Sequence, residues 1–170
     1  MMRVFIGMGS NLGDRQRALE EALVGLGSLD GTELLGVSSI YETDALGAPG
    51  EPPYLNAVCQ VETSLDPLAV LEALQRLERI AGRPSRGRGG ARTLDLDLLS
   101  YGECCIRRCG LEVPHPRLAC RPFVLVPLKE VAPGWRHPAT GLTVDDLLAP
   151  FAGQAGVRWF VAPALPAPVS

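Results

Sequence analysis

The chain is 170 residues long, 46% hydrophobic and 21% charged, with a formal net charge of −3. That length suits one domain able to bury about 70% of its unfolded surface, and the acidic balance excludes bulk nucleic-acid binding. No apolar run nears the ~18 residues of a membrane span and Met1–Met8 lacks a signal-peptide layout, so a cytoplasmic protein is expected.

In chain order, Arg3–Gly9 reads as a short apolar strand. Asn11 to Asp14 then forms a turn with helix N-cap candidates, and Ala18, Leu19, Ala22, Leu23, Leu26 and Leu29 fall on one helical face behind it. The run from Gly7 to Leu12 suggests a dinucleotide fingerprint, but the third glycine is missing. The chain has no GK[ST] either, so GSNLGD is read as a structural turn. Leu34–Glu42 and Leu55–Thr63 read as strands, the second alternating through Leu55, Ala57, Cys59 and Val61. Asp66 followed by Pro67 is a strong helix start. That helix runs through Leu71, Leu74, Leu77 and Glu78 to a C-terminal Gly82.

Arg79 to Asp97 reads RIAGRPSRGRGGARTLDLD, five arginines on a glycine-rich segment followed by two aspartates at i, i+2. Leu94, Leu96 and Leu98 alternate with Asp95 and Asp97, so both carboxylates leave one face of a half-buried strand, roughly 7 Å apart at Cα. Such carboxylates repel unless a cation sits between them. Hard oxygen ligands suit Mg²⁺, which binds through one or two carboxylates plus substrate phosphates. Arginine forks match phosphate oxygens. The two halves together describe a site for a magnesium-bound polyphosphate. Because the chain has fifteen arginines and only Lys129 as lysine, arginine at any one position says little about selection for that side chain.

After Gly102 the chain runs through Val113–Pro133, with a helix expected over Phe123–Val131 that tolerates Pro127. A short helix capped by Thr143 follows, then an edge strand at Trp159–Val161 and a tail (163–170) expected to be disordered. The odd cysteine count (Cys59, Cys104, Cys105, Cys109, Cys120) argues against a disulfide framework. With no CxxC pair, a zinc site from Cys104, Cys105, Cys109 and His115 is disfavoured against free thiols.

Strand–helix–strand–strand–helix–strand is the ferredoxin-like arrangement, an α+β fold with an antiparallel sheet and two helices on one face, here with a C-terminal extension. Two connections exceed what a turn needs, Thr43–Pro53 and Arg83–Arg92, and long loops in a compact domain are usually binding loops or lids.

The stretches GSNLGDR (Gly9–Arg15), YLNAV (Tyr54–Val58), ARTLDLDLL (Ala91–Leu99) and VPHPRLACRPFVLVPL (Val113–Leu128) resemble the 6-hydroxymethyl-7,8-dihydropterin pyrophosphokinases of folate biosynthesis. The resemblance covers roughly Val4 to Pro133 and implies one pyrophosphokinase domain over 1–162. It also implies ATP with two Mg²⁺ ions, and transfer of the β,γ-diphosphate to the pterin hydroxymethyl group with release of AMP. By the same resemblance Asp95 and Asp97 are the metal ligands. Arg83 and Arg92 engage the triphosphate during transfer, and Asp97 is also a candidate proton acceptor. Gln75, Glu78, Arg88, Leu98, His115 and Arg121 match nucleotide-side positions. Thr43, Asp44, Leu46, Tyr54, Asn56 and Phe123 match the pterin side, where a flat heterocycle wants aromatic faces and an amide to read its edge. A monomer with no nucleic-acid or membrane partner is expected.

Two departures from the family pattern stand out. Gly89-Gly90-Ala91-Arg92 replaces Trp-Gly-Pro-Arg, and Asp44 follows Thr43 where proline is common; both suggest a looser lid. A ferredoxin-like RNA-binding module would need exposed aromatics where this chain has aspartates. A relative that kept the fold and lost activity is disfavoured by the intact Asp95, Asp97, Arg83, Arg92, His115 and Arg121.

Overall fold

The computed structural model describes residues 1–44, 50–82, 93–153 and 156–162. Six antiparallel strands form its main sheet, in the order β5-β1-β4-β3-β8 with β2 also on β4. They are β1 (Met2–Ser10), β2 (Thr32–Val37), β3 (Ile40–Thr43), β4 (Tyr54–Thr63), β5 (Asp95–Tyr101) and β8 (Val157–Val161). A separate hairpin pairs β6 (Ile106–Arg108) with β7 (Leu111–Val113). The α+β, ferredoxin-like expectation holds.

Local chemistry sets the helix starts. Asp14 accepts from the Arg17 N–H at 3.1 Å and opens α1 (Arg15–Gly27). Asp66 accepts from the Leu68 and Ala69 N–H groups, both at 2.9 Å, and Pro67 follows where a missing N–H costs nothing, opening α2 (Pro67–Ile80). Arg121 precedes α3 (Pro122–Val131), which again begins on a proline, and a Thr143–Asp146 capping box starts α4 (Val144–Leu148).

The apolar stripes of α1 and α2 bury one face of the sheet through Leu19, Leu23, Leu26, Val70 and Leu74 against Val4, Ile6, Leu55, Cys59, Leu96 and Leu98. The opposite face carries a second core, in which Phe5, Val58 and Leu99 meet Leu118, Val124, Leu125, Leu128, Trp135 and Leu147. The C-terminal extension is therefore a third layer over part of the sheet. The rest of that face carries Asp95, Asp97 and Asn56.

The structure revises two readings. Leu34–Glu42 is not one strand: Ser38 interrupts it, its hydroxyl accepting from the Val58 N–H at 3.0 Å while its own N–H donates to the Val58 carbonyl at 2.9 Å. A side chain thus replaces one backbone rung, and β2 and β3 separate there. The β6–β7 hairpin also was not foreseen, because three-residue strands are too short to show a period. Leu46, the arginine loop 83–92 and the tail lie outside the described residues.

Candidate active site

The open face of the sheet is built by register. Gly9 of β1 pairs with Asp95 on one side and Asn56 on the other, and Asn56 pairs with Tyr41. One row across four strands therefore reads Asp95, Gly9, Asn56, Tyr41. Two interstrand spacings separate Asp95 from Asn56, roughly 10 Å at Cα, with no side chain between them. A Cβ at Gly9 would meet Asn56 Oδ1 at 3.5 Å and Asp95 Cβ at 4.0 Å, so it would fit but fill the trough. Gly7 pairs with Asp97 on one side and Val58 on the other, but Leu99 packs over it, where a Cβ would meet Leu99 Cδ2 at 3.3 Å. The strand expected over Arg3–Gly9 forms, and its pairing on both sides, which the sequence pattern does not show, sets Gly9 between Asn56 and Asp95.

Asp95 and Asp97 leave β5 on this face because Leu94, Leu96 and Leu98 are buried on the other. Arg121 donates Nη1 to Asp97 Oδ2 at 2.9 Å, and His115 Nε2 lies 3.8 Å from Asp97 Oδ1. The PHPR segment is held to the edge of β5 by the His115 N–H, which donates to the Leu99 carbonyl at 2.8 Å. His115 Nδ1 accepts from the Arg117 N–H at 3.1 Å, which leaves Nε2 to carry the proton toward Asp97. Burial lowers the His115 pKa below its ordinary value and outweighs the opposing pull of Asp97, while Arg121 and Arg117 lower it further. The imidazole is therefore neutral at pH 7. Phe123, on the first turn of α3, lies with its ring centre 5.6 Å from the Arg121 guanidinium carbon.

Opposite this charged cluster, Asn56 is 6% exposed and donates Nδ2 to Thr43 Oγ1 at 2.9 Å. Thr43 pairs with Tyr54 across β3 and β4. A buried amide with a fixed partner and an aromatic beside it is a surface for reading the edge of a polar heterocycle.

Two of the nucleotide-side residues sit beneath the sheet. Leu98 packs in the α1–α2 core, leaving only its backbone for the site. Glu78 is 3% exposed and accepts from the Leu96 N–H at 2.8 Å, tying α2 to β5 directly behind the aspartates. Glu78→Ala strands that donor and should lower the unfolding free energy by about 2 kcal/mol in urea titration, and Glu78→Gln by less because its oxygen still accepts. Equal stability of Glu78→Ala and the natural chain would contradict this bracket role. Gln75 is exposed on α2. An open cleft of about 290 Å³ lies beside His115, between the β6–β7 hairpin and the turn at His137 and Ala139.

Among the described residues no three His, Cys, Asp or Glu side chains converge on a metal position. Asp95 and Asp97 are hard oxygen donors on one face of β5, a donor type that suits Mg²⁺ held partly by phosphate better than a closed zinc cage.

Comparison with known proteins gives a consistent picture. The family profile of 7,8-dihydro-6-hydroxymethylpterin-pyrophosphokinase (HPPK) matches residues 5–133. The chain is 41% identical over 155 residues to a 2-amino-4-hydroxy-6-hydroxymethyldihydropteridine pyrophosphokinase of Pseudomonas aeruginosa, covering 90% of this chain and 95% of that one. It is 40% identical over 158 residues to a protein of the same name from Haemophilus influenzae, covering 93% and 98%. Among solved structures, an HPPK-DHPS chain crystallised with substrates superposes with a TM-score of 0.71 at 14% identity, covering 88% of this chain and 43% of that chain. At that identity the likeness speaks for the fold alone.

Proposed function

Since this chain belongs to the 7,8-dihydro-6-hydroxymethylpterin-pyrophosphokinase family, we propose that it transfers the terminal diphosphate of ATP to 6-hydroxymethyl-7,8-dihydropterin and releases AMP, a step in folate biosynthesis. The observation that carries this reading is the row Asp95, Gly9, Asn56, with carboxylates on one side of a trough and a reading amide on the other. The pterin lies over Gly9, its edge read by Asn56 and its faces met by Tyr54 and Phe123; Thr43, Asp44 and Leu46 border it. The triphosphate lies on the Asp95–Asp97 side, within reach of Arg121 and His115.

Asp95 and Asp97 would hold the Mg²⁺, two ions by the family resemblance, together with oxygens of the triphosphate. When bound, Mg²⁺ neutralises the phosphate oxygens and lowers the charge the nucleophile must approach. Arg121 is already oriented by Asp97, so its remaining donors are preset toward phosphate at no cost of ordering during reaction. His115, with Nδ1 taken by the Arg117 N–H, offers a hydrogen bond from Nε2 toward the phosphate side. The pterin hydroxyl oxygen attacks the β-phosphorus in line. The new O–Pβ bond forms as the bond from Pβ to the α,β-bridging oxygen breaks, the electron pair leaves with AMP, and the hydroxyl proton passes to solvent or to Asp97. Arg83, Arg88 and Arg92 supply further charge to the transferring group, and Gln75 and the Leu98 backbone border the nucleotide, whereas Glu78, buried behind β5, supports the aspartates from beneath instead of touching the nucleotide. Residues 1–162 act as a single catalytic domain, as a monomer in the cytoplasm and without nucleic acid. Of the described residues, no helix is long and apolar enough to cross a membrane.

The test is product identity. With ATP, Mg²⁺ and the reduced hydroxymethylpterin, chromatography should resolve AMP equal to the pterin consumed. ADP formation, or AMP release independent of pterin, would contradict the reading.

A further inference from the structure

Both ends of the connection from β3 to β4 are gripped by arginines, and those arginines share one glutamate. Arg158 of β8 donates Nη2 to Asp44 Oδ1 at 2.8 Å and Nη1 to Asp44 Oδ2 at 3.3 Å, a two-point fork on the residue that leaves β3. The same Nη2 lies 3.6 Å from Glu42 Oε1. From the start of α1, Arg15 donates Nη1 to the other Glu42 oxygen at 3.0 Å and to the Pro53 carbonyl at 2.7 Å, where the chain re-enters β4. Phe160, two residues beyond Arg158, places its ring centre 5.9 Å from the Arg15 guanidinium carbon. Strand β8 therefore contributes two side chains to a clamp that the first helix completes.

The clamp bears on residues that face the cleft. Thr43 stands between Glu42 and Asp44, pairs with Val157 of β8 on one side and Tyr54 on the other, and accepts from Asn56. We propose that Arg158 is a positioning residue for the pterin, holding the end of β3 through Glu42 and Asp44 so that Thr43 and Asn56 present a set edge to the substrate. The inference rests on the functional reading above and deepens it. It also changes the meaning of Asp44. A proline there would offer no carboxylate for Arg158 to hold, whereas the aspartate is pinned and its acidity is strengthened by that guanidinium.

Magnitudes decide where the effect falls. The Asp44 and Arg158 side chains are 78% and 51% exposed, and exposed pairs contribute little to global stability. Glu42 is 23% exposed and shared by two guanidiniums, so losing Arg158 unbalances a half-buried carboxylate next to Thr43. Backbone pairing of Glu42 with Arg158 remains in any side-chain variant, so the strand stays while the fork goes.

The experiment measures KM for pterin and for ATP separately, with kcat, in the full chain and in Arg158→Ala, Arg158→Lys, Asp44→Asn and the Arg158→Ala/Asp44→Asn double variant. Pterin affinity is also read at equilibrium with a non-hydrolysable ATP analogue. Arg158→Ala should raise the pterin KM about fivefold, with kcat and ATP KM within about twofold. Arg158→Lys should recover part of the loss, keeping charge but not the fork. The double variant should be no worse than Arg158→Ala alone. An unchanged pterin KM, or an ATP KM raised in proportion, overturns the proposal. If Arg158→Ala does not fold, an unchanged pterin KM in Asp44→Asn overturns it equally. Absence of pterin-dependent AMP release in the natural chain would overturn the functional reading and this inference with it, whereas an active natural chain with indifferent variants overturns this inference alone.

Discussion

Asp97→Ala should lower kcat for AMP formation by about 10³-fold, equivalent to about 4 kcal/mol of transition-state stabilisation. Asp97 combines two tasks. Its carboxylate faces the trough beside Asp95, and its Oδ2 fixes Arg121 at 2.9 Å. On the proposed mechanism, alanine would remove a metal ligand and release the guanidinium, so both electrostatic aids to diphosphoryl transfer would weaken together. The fold should tolerate the change: the pair is partly solvated, at 16% and 32% side-chain exposure, so its loss should cost about 1 kcal/mol or less. Asp95→Ala should behave similarly in kcat while leaving Arg121 in place. The check is steady-state kinetics beside thermal melting. A variant that melts normally and turns over within tenfold of the natural chain would refute the catalytic role.

Asn56→Leu should weaken pterin binding by about 100-fold and leave ATP affinity unchanged. The side chain is 6% exposed and its amide is held by Thr43 at 2.9 Å, so it meets a ligand with its orientation already set. Leucine keeps the volume, and the substrate's polar edge would then be buried without a partner, a loss of about 1–3 kcal/mol per group. On the proposed reading the two substrates are kept apart by the register, which puts Gly9 between Asn56 and Asp95. Titration calorimetry with each ligand reads this directly. Equal loss for ATP and pterin would mean that the substitution distorts the sheet.

Where local chemistry decides, the chain is readable without a structure. Asp66-Pro67, Asp14 and Thr143 start their helices through hydrogen bonds closed within three residues. The alternation of Leu94, Leu96 and Leu98 is enough to put Asp95 and Asp97 on one face. What stayed hidden depends on partners far along the chain. Ser38 breaks a strand only because Val58 of β4 lies opposite. Gly9 is a cleft floor only because β4 and β5 bring Asn56 and Asp95 to its two sides. Asp44 was read as loosening its loop, yet Arg158, 114 residues away, holds it. Family resemblance puts Arg121 on the nucleotide side, but its contact with Asp97, 24 residues away, has no local signal in the sequence. Arg83, Arg88, Arg92 and the Gly89–Ala91 departure fall outside the described residues.

If Asp95 and Asp97 anchor metal-bound ATP across Gly9 from the pterin, electron paramagnetic resonance of Mn²⁺ substituted for Mg²⁺ should report it. The sample is the chain with a non-hydrolysable ATP analogue and the pterin. Two bound Mn²⁺ per chain, falling to the level of analogue alone in Asp95→Ala/Asp97→Ala, is the predicted result; an unchanged Mn²⁺ count and spectrum in that double variant would contradict it.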